Sequence, residues 1–186
     1  MPDEARLEQV GNGLAPVTPG WFVVNAREAA WIENAAFGFR CRFETDGRVA
    51  AAREGLQPQM FEEIGYTLAV LQSGKPTGMY HAEDHQEDFF VVSGECLAIV
   101  EEQERRLRQF DFLHCPPGTR HVFVGVSRSP CVLLMIGNRV GEGGIVYPRS
   151  DAALAHGAGV EHETNLPREA YAAFAHWQTG GEKPEL

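Results

Sequence analysis

Within the seven residues HAEDHQE, the sequence sets His81, Glu83, His85 and Glu87 immediately before the apolar run Phe89-Phe90-Val91-Val92. Imidazole and carboxylate are the donor types that Zn, Fe, Mn, Ni and Co accept, so the chemistry suggested is metal ligation. A strand turns alternate side chains to opposite faces. His81 and Glu83 would therefore project together from the end of one strand, while Glu87, Phe89 and Val91 share a face of the next. Asp84, His85 and Gln86 then make the turn. Three donors on one inner face leave room for a fourth ligand from elsewhere in the chain. The tight turn Pro116-Pro117-Gly118-Thr119-Arg120-His121 offers one by delivering His121 to the start of the strand His121 to Val126.

Together these two stretches resemble the paired motifs of the cupins. Glu87 and Gly94 have the spacing of the glutamate and glycine that follow the histidine pair in the first cupin motif, and Pro116, Gly118 and His121 fit the Pro-x-Gly…His turn of the second. The resemblance spans about residues 64 to 137. It departs from the family at several points. Glu83 stands at the position of the second histidine, Phe110 at the opening glycine of the second motif, and Gly125 where that motif often has asparagine. The opening glycine of the first motif is displaced to Gly74 or Gly78.

The resemblance implies a metal held inside a barrel open on one side to a small molecule. The expected ligands are His81, Glu83, Glu87 and His121, holding one divalent transition metal ion: Fe, Mn, Ni or Zn. Two neutral imidazoles and two carboxylates balance a divalent charge, whereas without a cation the carboxylates would repel and one would take a proton at raised pKa. His85 falls in the turn and is expected to be solvated, though a tighter turn would let it substitute for Glu83. The bland alternative for His81 and His121 is a pair of hydrogen-bonded core histidines. Phe89, Val91, Leu97, Ile99 and Phe123 share parity with the ligands and are expected to line the barrel, Phe89 and Phe123 nearest the metal. His114 reads either as a partner of the ligands or as a packing residue.

The elements that must position these groups are mostly short strands. Phe37, Phe39, Cys41 and Phe43 alternate with Gly38, Arg40, Arg42 and Glu44, the period of a half-buried strand closed by Asp46-Gly47. Ile64 to Gln72 is a continuous apolar run, consistent with a strand covered on both faces. Strands follow at Cys96 to Glu101, Arg105 to Gln109, Asp111 to Cys115, His121 to Val126 and Cys131 to Ile136. Many short strands at this spacing give a sandwich or barrel. The fold class is all-β, and the cupin resemblance selects a double-stranded β-helix, or jelly roll, with an N-terminal strand extension and a short C-terminal helix. Residues 1–20 read as a flexible arm, 21–63 as N-terminal strands packing on the barrel beginning with Trp21 to Val24, 64–137 as the barrel core and 138–186 as an extension. Leu166, Ala170, Ala173, Phe174 and Trp177 recur at helical spacing behind Asn165 and Pro167, which predicts a helix near 166–177. Gly180 to Leu186 is expected to fray.

Composition bounds the partners. The chain has 186 residues, suiting one domain, and 44% of them are hydrophobic, the usual content of a soluble globular protein. A net charge of −10 argues against nucleic acid and anionic membranes, both of which need a basic patch. The one arginine cluster, Arg105, Arg106 and Arg108, lies among glutamates and reads as a solvated hairpin. No signal peptide or membrane-spanning run is visible. The four cysteines, Cys41, Cys96, Cys115 and Cys131, form no CxxC pair, so reduced thiols in a cytoplasmic protein are expected. The expected partners are a small-molecule ligand or substrate and a second copy, as a homodimer with Trp21 or the C-terminal helix at its interface. Two functions stay open. One is a metal-dependent enzyme, dioxygenase-like or a Lewis-acid isomerase; the other is a non-catalytic sugar or metabolite binding or sensor cupin. No general base separate from the metal ligands is apparent in the sequence.

Overall fold

Alternation of apolar and polar residues in the strands after Gly65 lets one sheet lie face to face with another, and the interior forms between them. The computed structural model describes residues 1–186. In chain order the elements are β1 (Leu7–Val10), β2 (Gly13–Pro16), β3 (Ile32–Asn34), β4 (Gly38–Cys41), α1 (Gly47–Ala50), β5 (Ile64–Leu71), β6 (Ala82–Glu83), β7 (Glu87–Ser93) and β8 (Glu95–Val100). They continue as β9 (Gln103–Arg108), β10 (Phe112–Cys115), β11 (His121–Gly125), β12 (Cys131–Asn138), β13 (Ile145–Val146), α2 (Asp151–Ala155), α3 (Pro167–Ala170) and β14 (Gln178–Thr179). One sheet runs β10-β7-β12-β5-β4-β3-β14 and the opposing one β11-β8-β9, with the pair β13-β6 at the open end. All strand pairs are antiparallel, as expected of a jelly roll. No helix is long and apolar enough to cross a membrane.

The interior is built by Leu71, Phe89, Val91, Cys96, Ala98, Cys115, Phe123, Cys131 and Leu133, drawn from both sheets. Leu97 and Ile99, expected to line the barrel, instead face outward and pack with Tyr80, Val122, Val124 and Ala153 under α2. The parity changes at the turn between β7 and β8. There Gly94 has φ +75°, and a Cβ would meet the Pro130 carbonyl oxygen at 2.7 Å, so only glycine fits. All four cysteines are buried and free. Burial pushes the Cys41 thiol up to about 11 and the Cys115 thiol up to about 12.

Gly125 is also needed for close approach, since a Cβ would lie 2.2 Å from the Gln72 carbonyl oxygen. Phe110 is a different case. It holds φ +73° with 71% of its surface exposed, a left-handed conformation that costs a residue with a Cβ about 1–2 kcal/mol. Phe110→Gly is therefore expected to raise stability by about 0.5–1 kcal/mol, after allowance for the greater chain entropy of glycine. Urea unfolding midpoints check this; a lower midpoint for the variant would show that the Phe90–Phe110 contact, at 6.3 Å between rings, outweighs the strain.

Outside the barrel the structure departs from several expectations. Residues 1–20 contain the β1–β2 hairpin rather than a loose arm, with Val10 and Ala15 packed on Ile32 and Val49. Its turn is made by Gly11 and Asn12, a pair suited to a two-residue hairpin, and Gly11 has φ +59°. Trp21 to Val24 forms no strand, because only Trp21 finds a partner, Glu4. Trp21, Val23 and Met60 stay exposed along an apolar groove of about 1020 Å³. The helix expected near 166–177 is a single turn, α3, whose N-cap Leu166 makes no side-chain cap bond. The aromatic stripe beyond it wraps around Phe37 instead, with Tyr171, Phe174 and Trp177 all within 6.2 Å of that ring. The tail is held as well. Lys183 Nζ donates to the Arg27 and Glu28 carbonyls at 2.9 Å, and Leu186 packs against the cluster around Trp31.

Candidate metal centre

Two backbone hydrogen bonds bring the motifs together. His121 N–H donates to the His81 carbonyl at 2.8 Å and His81 N–H to the His121 carbonyl at 3.2 Å, so the two histidines sit directly opposite one another. The Pro-Pro-Gly turn is tied to the first motif by the Gly118 N–H, which donates to the Glu83 carbonyl at 2.7 Å. Glu87 opens β7 and is flanked by Cys115 of β10 and Gly137 of β12. Each functional side chain thus sits at a strand end fixed by its neighbours.

The imidazoles are also oriented from behind. His81 Nδ1 lies 2.8 Å from the Met79 carbonyl oxygen and His121 Nδ1 3.0 Å from that of Thr119. A carbonyl only accepts, so Nδ1 carries the proton in each neutral ring and Nε2 presents a lone pair. These two Nε2 atoms face Glu87 Oε2 at 4.0 Å and 3.3 Å. Ligand atoms of His81, Glu87 and His121 all lie within 4.8 Å of one another, a group that could hold a metal ion. Two unprotonated imidazole nitrogens and a carboxylate are donors that a divalent ion accepts, so the donor set fits the group the fold implies.

Without a cation the same packing is electrostatically costly. Burial, with His121 as neighbour, lowers the His81 pKa to about 4, and burial also holds His121 below the ordinary histidine value. Glu87 is raised to about 8, chiefly by burial and then by the Glu83 carboxylate. Phe89 and Phe123 do stand beside the site, their rings 4.9 Å and 6.1 Å from that of His121.

Glu83 stands outside the close group. Its Oε1 is 3.7 Å from His81 Nε2, and its side chain is 34% exposed at the pocket mouth. His85 does not join it, because its ring lies against Gly143, where a Cβ would come within 2.3 Å of it. His114 is on the outer face, with Nδ1 2.6 Å from Asp88 Oδ1 and its side chain half exposed. His156 pairs with Glu104 at 2.8 Å, far from the pocket residues in the fold.

Above the histidines is a pocket of about 300 Å³ whose walls include groups not anticipated from the sequence: Arg40, Arg42, Arg139, Tyr147 and Tyr171. Arg40 and Arg42 occupy the polar half of an alternating strand, a position that reads as solvent-facing. Here both faces of β4 are covered. The only advance signal was the pair of arginines at alternate positions beside an apolar stripe.

Strands closing a jelly roll around inward-facing His, Glu and His side chains define a β-barrel protein with a potential internal metal centre. Residues 67–137 match the family model for a cupin domain. Among solved structures, similar ones include a sugar phosphate isomerase of the cupin superfamily from Silicibacter pomeroyi, at 22% identity over 57% of this chain and 62% of that one, with TM-score 0.45. Others are DMSP lyase DddQ from Ruegeria pomeroyi, at 19% identity over 49% and 46% with TM-score 0.39, and salicylate 1,2-dioxygenase from Pseudoaminobacter salicylatoxidans, at 17% over 45% and 25% with TM-score 0.42. The chain spans less than two thirds of the length of each of these. Likenesses of this degree carry no inference about activity. A comparison with curated proteins gives no significant match.

Proposed function

We propose that the protein is a metal-dependent cupin that binds a small oxygenated molecule in its pocket and moves a proton on it, in the manner of a Lewis-acid isomerase. His81, Glu87 and His121 would hold a divalent ion, which would supply Lewis-acid polarisation of a carbonyl or hydroxyl oxygen of the ligand. The observation that carries the reading is the position of Glu83. Its carboxylate shares the pocket with the His81–Glu87–His121 group without belonging to it, and its partial exposure leaves it free to rotate toward a ligand. Glu83 then accepts the proton from carbon and returns it, a role for which a carboxylate close to the reacting atoms is sufficient. Phe89, Phe123 and Tyr147 line the approach and limit access of water.

Hydron exchange tests the proposal. Metal-loaded protein in D2O, with a panel of small hydroxy-aldehydes, hydroxy-ketones and 2-hydroxy acids, is expected to incorporate deuterium beside the carbonyl or hydroxyl carbon, read by NMR. Glu83→Gln is expected to lower that rate by about 10²–10⁴-fold while metal content stays at the parental level. Loss of the metal in Glu83→Gln would make Glu83 a ligand and remove the base. Saturable binding without exchange would support a sensor instead, and oxygen uptake by the iron-loaded protein would support an oxygenase.

A further inference from the structure

We propose that the ligand of this pocket is a small monocarboxylate whose carboxylate group is held by Arg40; the inference rests on the metal reading given above. Three guanidinium groups border the pocket, and two of them are already committed. Arg139 grips Glu44 through both terminal nitrogens, each at 2.8 Å, and Arg42 Nη1 pairs with Asp46 Oδ2 at 3.0 Å. Arg40 has no carboxylate within 4.0 Å. Its Nη2 donates to the Thr77 carbonyl, its guanidinium lies 4.6 Å over the Trp177 ring, and its Nε, like that of Arg42, is buried without an acceptor. A guanidinium with unused donors beside a cavity is the usual means of taking a carboxylate bidentately.

Charge counting points to the same class. A divalent ion is balanced by Glu83 and Glu87, Glu44 pairs with Arg139, and Asp46 pairs with Arg42 and with Arg48, whose half-exposed charge is screened by water. One positive charge, that of Arg40, is left over, and a singly charged anion neutralises it. A phosphate dianion would leave the buried site negative. The volume of about 300 Å³ lies at the lower end of the range of small-molecule pockets. Gly78 shapes the anchor point: a Cβ there would lie 2.8 Å from the Tyr171 hydroxyl and 3.5 Å from Arg40 Nη2, so its absence lets both groups reach one spot. The Tyr171 oxygen accepts from the Met79 N–H at 3.1 Å, which leaves the hydroxyl proton to donate to the same carboxylate.

Calorimetric titration of the Mn²⁺-loaded protein with glycolate, its neutral isostere glycolamide and inorganic phosphate tests the inference, with bound Mn²⁺ quantified in every sample. Glycolate is expected to bind more tightly than either of the others. The metal alone favours a carboxylate to some degree, so the variant decides: Arg40→Met should weaken glycolate by about 10–100-fold, leaving glycolamide affinity and Mn²⁺ content unchanged. If Arg40→Met does not fold by circular dichroism, Arg40→Lys carries the test; it keeps the charge but not the planar fork, and should weaken glycolate alone by about tenfold. Equal glycolate binding by parent and variant, or phosphate binding more tightly than glycolate, would overturn the inference. Mn²⁺ uptake with no effect of Arg40 would defeat it while sparing the metal reading; no Mn²⁺ uptake by the parent would defeat both.

Discussion

Glu87→Gln is expected to weaken metal binding by roughly 10³-fold while making the metal-free protein more stable than its parent at pH 8. Loss of a partner behind a metal ligand typically costs 10–100-fold, and loss of an anionic ligand itself costs more. The gain in stability follows from the carboxyl's surroundings. Its pKa is about 8 in the fold against an ordinary value of 4.5, so the metal-free folded state keeps a proton that the unfolded chain releases. The contribution of this group to stability is therefore fully present below about pH 4.5 and is lost as pH rises through about 8. Glutamine has the shape and neutrality of the protonated acid and does not titrate. Parent and variant should match near pH 4 and diverge above it, the variant being the more stable. Urea unfolding with a chelator present, at both pH values, reads the stability, and competition titration reads the affinity. The same displacement means that metal uptake at pH 7 should release about one proton, visible as a dependence of binding heat on buffer ionisation enthalpy. Parental affinity in Glu87→Gln, or parallel pH profiles, would remove Glu87 from the site. His81 acts in the opposite sense: its value of about 4 lies below the ordinary 6.5, so its contribution is present above pH 6.5 and lost as pH falls toward 4.

Arg139→Met is expected to destabilise the fold by about 3–5 kcal/mol, the usual cost of leaving a buried charge without its partner. The Glu44 side chain has no exposed surface and accepts from Arg139 Nη1 and Nη2, each at 2.8 Å, and from the Phe61 N–H at 3.0 Å. Taking away the guanidinium leaves that carboxylate with one amide donor. Glu44→Gln should cost less, because Arg139 is 27% exposed and keeps the Phe61 carbonyl at 2.9 Å. Arg139→Met combined with Glu44→Leu should recover most of the loss, since an apolar pair replaces the ionic one. Denaturant unfolding of the three variants measures the order. A single Arg139→Met variant within about 1 kcal/mol of the parent would show that water reaches Glu44 and that the pair is dispensable. The pair also bears on function, because it commits Arg139 and leaves Arg40 as the unmatched cation of the pocket.

The barrel strands and the His–Glu–His group were legible because their signals are local. Apolar runs bounded by turn residues mark β5, β7, β8, β11 and β12, and each motif carries its ligands within a few residues. What the sequence concealed depends on how distant segments meet. The facing of Leu97 and Ile99 turns on the geometry at Gly94, which alternation alone cannot carry across a tight turn. Arg40 reads as solvent-facing until the aromatic segment ending in Trp177 folds over β4 from far along the chain. That same segment has helical spacing yet winds around Phe37, because stacking on one ring does not require a helix. The Gly11-Asn12 turn was a usable hairpin signal, masked by the charged and Pro-rich residues around it. Which of Glu83 and Glu87 joins both histidines could not be read from parity, because parity places both on the same side.

Anomalous diffraction at the metal edge, from crystals of protein purified without a tag or chelator and soaked in Mn²⁺ or Zn²⁺, is the most direct test of the metal centre. The account predicts one peak within about 2.0–2.3 Å of His81 Nε2, His121 Nε2 and a Glu87 oxygen, with Glu83 free to turn toward the pocket. A peak elsewhere, such as beside Asp84 and His85, or both Nε2 atoms bonded only to protein in metal-saturated crystals, would contradict it.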